Sequence, residues 1–312
     1  MPLDTADSLP GWQDVAENLP GALMSVWGTA ASDVYVVGAD VGAGPMAYHL
    51  SGNEWSAVDG LSPGDVWWVS GDEERVWMAG AGGRVFRQDR ASGMLDAWQL
   101  DEVSTFFGIW GPGDGTAVAV GGNPELPNNA AVLFTFDGAQ WSQVELPPEV
   151  AEQYALYKVW GKAGSDAWAV GTGGVSLHFD GATWTYVDTV SYVNLFTVHD
   201  GYAVGGDIGG TILSLSTAGM VWADESPDFA VQITGVHGGE NAVAVGVRGS
   251  VWHRGGTAWE PDPRALPTYQ DLHCAWVDPD GGVWAAGGHV SGAPLIQGAL
   301  VYGGRATIPG LE

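Results

Sequence analysis

Imidazoles converging on one point can hold copper, zinc or nickel, so histidines at equivalent places in the chain are the first candidates for chemistry. His199 and His237 form such a pair. Each ends a Val-His phrase followed by a turn and a strand closing in Val-Gly: VHDGYAVG from Val198 and VHGGENAVAVG from Val236. Together they could bind one copper, zinc or nickel ion, with Asp200, a carbonyl or water completing the set. Alternatively, they fill places where the same phrase elsewhere carries Trp27, Trp110, Trp160 and Trp276. His49, His178 and His253 recur shortly before an outer-turn glycine, which points to packing or turn roles. Cys274 directly follows His273, and adjacent residues of a strand point to opposite faces, so a Cys–His nucleophile pair is not expected. A single cysteine excludes an internal disulfide and a Cys-x-x-Cys site. The chain lacks Gly-x-Ser-x-Gly, His-Glu-x-x-His, a P-loop and Gly-x-Gly-x-x-Gly. Asp278-Pro279-Asp280-Gly281 begins like a calcium loop but lacks its downstream acid, so it reads as a turn. The expectation leans towards a binding protein, not an enzyme.

The elements that would position these side chains are read from a repeat. An apolar strand ending in Trp-Gly, a short turn and a strand ending in Val-Gly or Ala-Gly recur as VWGTAASDVYVVG from Val26, IWGPGDGTAVAVG from Ile109 and VWGKAGSDAWAVG from Val159. Degenerate copies begin at Trp68, Val198, Val236 and Ala275. The closing glycines are Gly38, Gly80, Gly121, Gly171, Gly205, Gly246 and Gly287, spaced by 42, 41, 50, 34, 41 and 41 residues. Seven copies near 40 residues, with apolar alternation of period two, predict seven four-stranded antiparallel blades of an all-β propeller.

Outer-strand tryptophans follow at Trp55, Trp98, Trp141, Trp184, Trp222 and Trp259, one short of seven. The missing copy lies at the other end of the chain, where GWQDVAENLPG around Trp12 matches EWSAVDGLSPG around Trp55. The N-terminal strand is therefore expected to complete the last blade, which removes an open sheet edge. The blades fall at about 22–60, 61–104, 105–149, 150–191, 192–227, 228–266 and 267–307 plus 10–18, one propeller over residues 1–312.

The Trp-Gly and Asp-Gly-x-x-Trp phrases resemble bacterial propellers related to BNR (Asp-box) repeats. The resemblance implies the fold. Asp180-Gly181-Ala182-Thr183-Trp184 lacks the residue that the Asp-box has between Asp and Gly. Sialidases of that group need three arginines converging on a carboxylate. Here Arg75, Arg84, Arg87 and Arg90 crowd one blade, which argues against that activity.

In a four-stranded blade, the loops from strand two to three and from strand four to the next blade share one face. The long insertions DVGAGPM, GNPELPNNA and HVSGAPLIQ and the long connections LPPEVAEQY and PDPRALPTY all belong to that face. Elaborated loops on a rigid scaffold carry binding residues. The candidates there are Asp40, Glu125, Asn128, Tyr154, Tyr192, Asp207, Tyr269, His273 and His289, recognising a protein or a carbohydrate. Most of the 17 tryptophans sit at fixed repeat positions and read as blade packing.

Asp plus Glu number 37 against 10 Lys plus Arg, a net charge of −27. The shortage of base predicts no binding to nucleic acid or anionic membranes. No apolar run is long enough to span a bilayer. The ending Leu311-Glu312 reads as a remnant of tag attachment. The lack of a leader is then no guide to address, and an extracytoplasmic monomer is expected.

Overall fold

The structure, a computed structural model, describes residues 10–311 apart from 124–129, 152–153, 217–219 and 240. Seven four-stranded antiparallel sheets form a ring. The inner strands, in blade order, are Leu23–Ala30, Val66–Gly71, Thr105–Trp110, Leu156–Ala163, Leu195–His199, Ile233–His237 and Asp271–Val277. Each packs against both neighbouring inner strands, and the first packs against the last. No helix among the described residues is long and apolar enough to cross a membrane.

The seventh blade takes its outer strand from the chain's beginning. Gln13–Gly21 pairs antiparallel with Ile296–Gly303, Gln13 facing Tyr302 and Asp14 facing Val301. A polar latch holds the entry to this strand. The Asp262 carboxylate, on the connection leaving blade six, accepts hydrogen bonds from Trp12 Nε1 (3.3 Å), His253 Nε2 (2.7 Å) and Arg264 Nη2 (2.6 Å). The Arg264 guanidinium lies 4.9 Å from the Trp12 ring centroid and donates to the Pro10 carbonyl at 2.8 Å. The end of the chain straps the same strand from outside. Gln13 bonds to Ala306 and Ile308, and the Leu311 N–H donates to the Val15 carbonyl. Leu311 is buried in the cluster shared by blades seven and one, so it packs as part of the fold.

Two local geometries explain the repeat. Every inner strand carries one extra residue just after its start: Met24, Trp67, Phe107, Tyr157, Phe196, Thr234 and His273. Such a bulge bends the strand and leaves the extra residue without a partner. The residue paired just before each bulge faces Gly38, Gly80, Gly121, Gly171, Gly205, Gly246 or Gly287, the seven repeat glycines. A Cβ there would collide with the carbonyl of the residue just ahead of the one it faces, such as Asn194 at Gly205 or Asp271 at Gly287. The glycines are thus dictated by close backbone approach.

The Trp-Gly phrase makes the seam between blades. Trp27 lies against Gly71 of the next blade, Trp110 against Gly161, and Trp276 against Gly28. The outer Asp-Gly turn is also backbone chemistry. Asp137 accepts the N–H groups of Ala139 and Gln140, and Asp180 those of Ala182 and Thr183. His49, His178 and His253 each meet an aspartate: Asp33 at 2.7 Å, Asp166 at 3.0 Å and Asp262 at 2.7 Å.

Candidate functional site

Inner strands start at the long-loop face, so the seven bulged residues surround the channel mouth on that face. Four consecutive blades contribute aromatic rings: Trp67, Phe107, Tyr157 and Phe196. Their successive ring centroids are 5.2, 5.4 and 5.7 Å apart. His273 closes the arc on the other side, 6.1 Å from Trp67 across blade one, and its Nδ1–H donates to the Met24 carbonyl at 2.6 Å. Burial, and next the nearby Lys158 ammonium, push the His273 imidazole down to about 3, so it is neutral.

One residue deeper lies Lys158. Blade three has glycine at the equivalent place, Gly108, whose Cα side faces the Lys158 backbone closely. The lysine side chain therefore crosses blade three. Its Nζ donates to the Phe107 carbonyl at 2.7 Å and stands 4.3 Å from the Trp68 ring centroid in blade two. Burial lowers its pKa to about 7. Cys274 sits at this level in blade seven, its Sγ 3.8 Å from Ser25 Oγ and 3.7 Å from the Val26 carbonyl. Burial raises the thiol's pKa, so it stays protonated and is a poor nucleophile. The bulge at His273 breaks the simple alternation expected from the sequence, and both His273 and Cys274 contact blade one.

Around the mouth, the long-loop face carries most of the exposed large apolar side chains. Tyr192 on the connection from blade four to five is 92% exposed, Ile208 in the blade-five loop 96%, Phe229 between blades five and six 99% and Tyr269 between blades six and seven 91%. Val41, Val103 and Val190 lie on the same face. Val190 and Phe229 hold left-handed backbone, φ 54° and 63°, a conformation disfavoured for side chains of these types. The loops of Ile208 and Phe229 are tied together: the Gly210 N–H donates to the Ala230 carbonyl, and Gln232 Nε2 donates to the carbonyls of Gly206 and Asp207. Exposed acids accompany these residues, with Asp188 near Val190, Asp207 beside Ile208 and Asp228 beside Phe229.

The residues singled out in the sequence separate into groups. Tyr192, Asp207 and Tyr269 are exposed on this face. His273 lies inward of them in the channel mouth. Asp40 shapes its own loop: its carboxylate accepts the N–H groups of Gly42, Gly44 and Gly64, which lower its pKa. Tyr154 packs partly buried beside Gly173. His289 is exposed, with Nδ1–H donating to the Pro294 carbonyl at 2.9 Å. Glu125 and Asn128 lie outside the described residues. The sequence reading missed the aromatic collar, Lys158, Ile208 and Phe229. A signal for the collar existed: it stands three residues before the Trp or His of the Trp-Gly phrase in six blades.

His199 and His237 sit at the opposite end of the channel, where the inner strands finish. Their ring centroids are 4.2 Å apart at 31°, and Trp160 stacks on His199 at 4.8 Å. His199 Nδ1 accepts the Gly238 N–H at 2.9 Å, leaving Nε2 as its donor for any metal. Burial, with His237 adding to it, holds His199 well below the usual imidazole range, and burial holds His237 at about 4. No cluster of three His, Cys, Asp or Glu suited to a metal occurs among the described residues.

No family model and no curated protein matches the chain. Its fold is shared with solved propellers. The WD40 β-propeller domain of Doa1 superposes with a TM-score of 0.66 at 10% identity, over 93% of this chain and 97% of that one. The structure of U3-55K superposes at 0.70 and 11% identity, over 95% and 98%. The chain thus has a WD40-like seven-bladed fold.

Proposed function

We propose that the protein is a non-catalytic interaction module that docks another protein on its long-loop face. One observation carries this reading: Tyr192, Ile208, Phe229 and Tyr269 protrude almost fully exposed from four loops of one face between blades four and seven. Apolar side chains concentrated on one exposed face mark association surfaces. The left-handed backbone at Val190 and Phe229 supports it, because strained conformations that present a side chain cluster at binding sites. The acids Asp188, Asp207 and Asp228 beside these residues favour a partner segment that combines apolar and basic side chains.

Peptide arrays of apolar-basic segments, followed by titration of the full chain, test the reading. Tyr192→Ser and Phe229→Ser should each weaken a bound peptide about tenfold or more, as expected for aromatic anchors. Their melting temperatures should not change, because neither side chain is packed. Binding that survives both replacements, or a face that captures glycans and no peptide, would overturn the assignment.

A further inference from the structure

Lys158 is one of only two lysines in a chain with 37 acids. The residue is only 3% exposed. Buried ammonium groups are normally paired with a carboxylate. Among the described residues, no Asp or Glu pairs with Lys158: the ion pairs engage five arginines and three histidines instead. Its partners are a carbonyl, an indole face and, by electrostatics, the Cys274 thiol. The amine is therefore a buried basic group without a carboxylate partner among the described residues. It lies one residue below a collar of four aromatic rings, of which Trp67, Tyr157 and Phe196 are half-buried and so reachable from the mouth.

We propose that the channel mouth binds a small apolar monocarboxylate, its carboxylate on Lys158 Nζ and its apolar body within the collar of Trp67, Phe107, Tyr157 and Phe196. The collar supplies apolar contact area and edge-to-face geometry for a ring or short alkyl chain. The lysine supplies a charge-assisted hydrogen bond at the dry end of the site. Ser25 and the neutral His273 belong to the neighbouring inner strands at the same end of the channel, bonded to Cys274 and to the Met24 carbonyl. The acidic exterior discourages polyanions, which restricts the site to ligands of single charge. Binding draws a proton onto the amine, whose pKa of about 7 leaves a fraction neutral in the free protein. This site is separate from the rim docking surface, and either can fail without the other.

The test is calorimetric titration of the intact protein with benzoate, cyclohexanecarboxylate and the neutral analogue benzamide, each in two buffers of different ionisation enthalpy. Benzoate or cyclohexanecarboxylate should bind with net proton uptake at pH 7, at least tenfold more tightly than benzamide. Affinity should fall as pH rises from 7 to 9 and the ammonium is lost. Lys158→Met should weaken the acid at least tenfold without lowering the melting temperature, since replacing an unpaired buried charge by an apolar chain is neutral or stabilising. Lys162→Met should change nothing. Benzamide binding as tightly as benzoate, unchanged acid binding by Lys158→Met, or no binding of either acid would overturn the proposal.

Discussion

Replacing Asp262 with alanine removes the centre of the latch that joins blade six to the N-terminal strand. The Asp262 side chain is only 1% exposed, and Arg264 beside it only 10%. Alanine would leave the Arg264 guanidinium with the Pro10 carbonyl as its remaining hydrogen-bond acceptor and would orphan His253 Nε2 and Trp12 Nε1. Breaking a buried pair by deleting one partner costs about 3–5 kcal/mol. At about 2 °C per kcal/mol for a chain of this size, the melting temperature should fall by roughly 6–10 °C. Burial alone would raise the Asp262 carboxyl, but the hydrogen bonds from His253 and Arg264 outweigh it and hold the group far below the usual carboxylate range. A depressed carboxylate contributes stability above its unfolded value and loses it as pH falls towards its folded value. The gap between wild type and variant should therefore be constant from pH 5 to 8, about one to four units above the unfolded value, and shrink below about pH 4. Differential scanning fluorimetry across that range reads the gap, and hydrogen exchange at Val301 and Tyr302 reads strand release. A variant that melts with wild type at pH 7 would show that the latch contributes nothing.

Deleting residues 1–20 should uncover the edge of Ile296–Gly303 and produce a large loss of melting temperature with aggregation by light scattering; an unchanged melt would contradict strand closure. Gly205→Ala should destabilise by about 1–3 kcal/mol or more in urea unfolding, because the new methyl meets the Asn194 carbonyl, and an alanine tolerated there would refute the account of the repeat glycine. Burial lowers Lys158 to about 7 from an ordinary 10.5. The unfolded chain therefore holds the extra proton between those values, and wild type should gain stability on Lys158→Met as pH rises through that window, by at most about 1.4 kcal/mol per pH unit. A difference independent of pH would remove the buried charge from the argument. For His199 and His237, elemental analysis decides between metal and packing: one copper, zinc or nickel ion per chain, lost when both are replaced, establishes a site, and none leaves the pair as a packed seam.

The ring of blades was readable because its determinants are backbone constraints that force one residue type seven times over. Gly38 to Gly287 recur since nothing larger fits opposite a bulge, and Trp27, Trp110 and Trp276 recur since each covers a neighbour's glycine. Closure was readable for the same reason, through the match of Trp12 to Trp55. The channel mouth was not, because its residues share a place but no chemistry: Met24, Trp67, Phe107, Tyr157, Phe196, Thr234 and His273 show no common type to the eye. Lys158 carries no repeat signal, and its burial depends on Gly108 in a different blade, about 50 residues away in sequence and one blade over in space. Ile208 and Phe229 looked like ordinary apolar residues in loops, and only their exposure sets them apart. The division of loops between faces did transfer, since it follows from strand count alone.

The unpaired residue in each inner strand has a consequence for how such a chain can change over time. Residues locked in the ladder answer to two neighbours at once, so altering one disturbs the sheet. The bulged residue answers to neither. Its place is set by the glycine opposite and by the strands on either side, whatever side chain it bears. Met24, Phe107 and Thr234 use that freedom for packing, buried between the blades. Trp67, Tyr157, Phe196 and His273 reach the opening, so the lining of the mouth can change at four addresses while the ladder of the blades stays as it is.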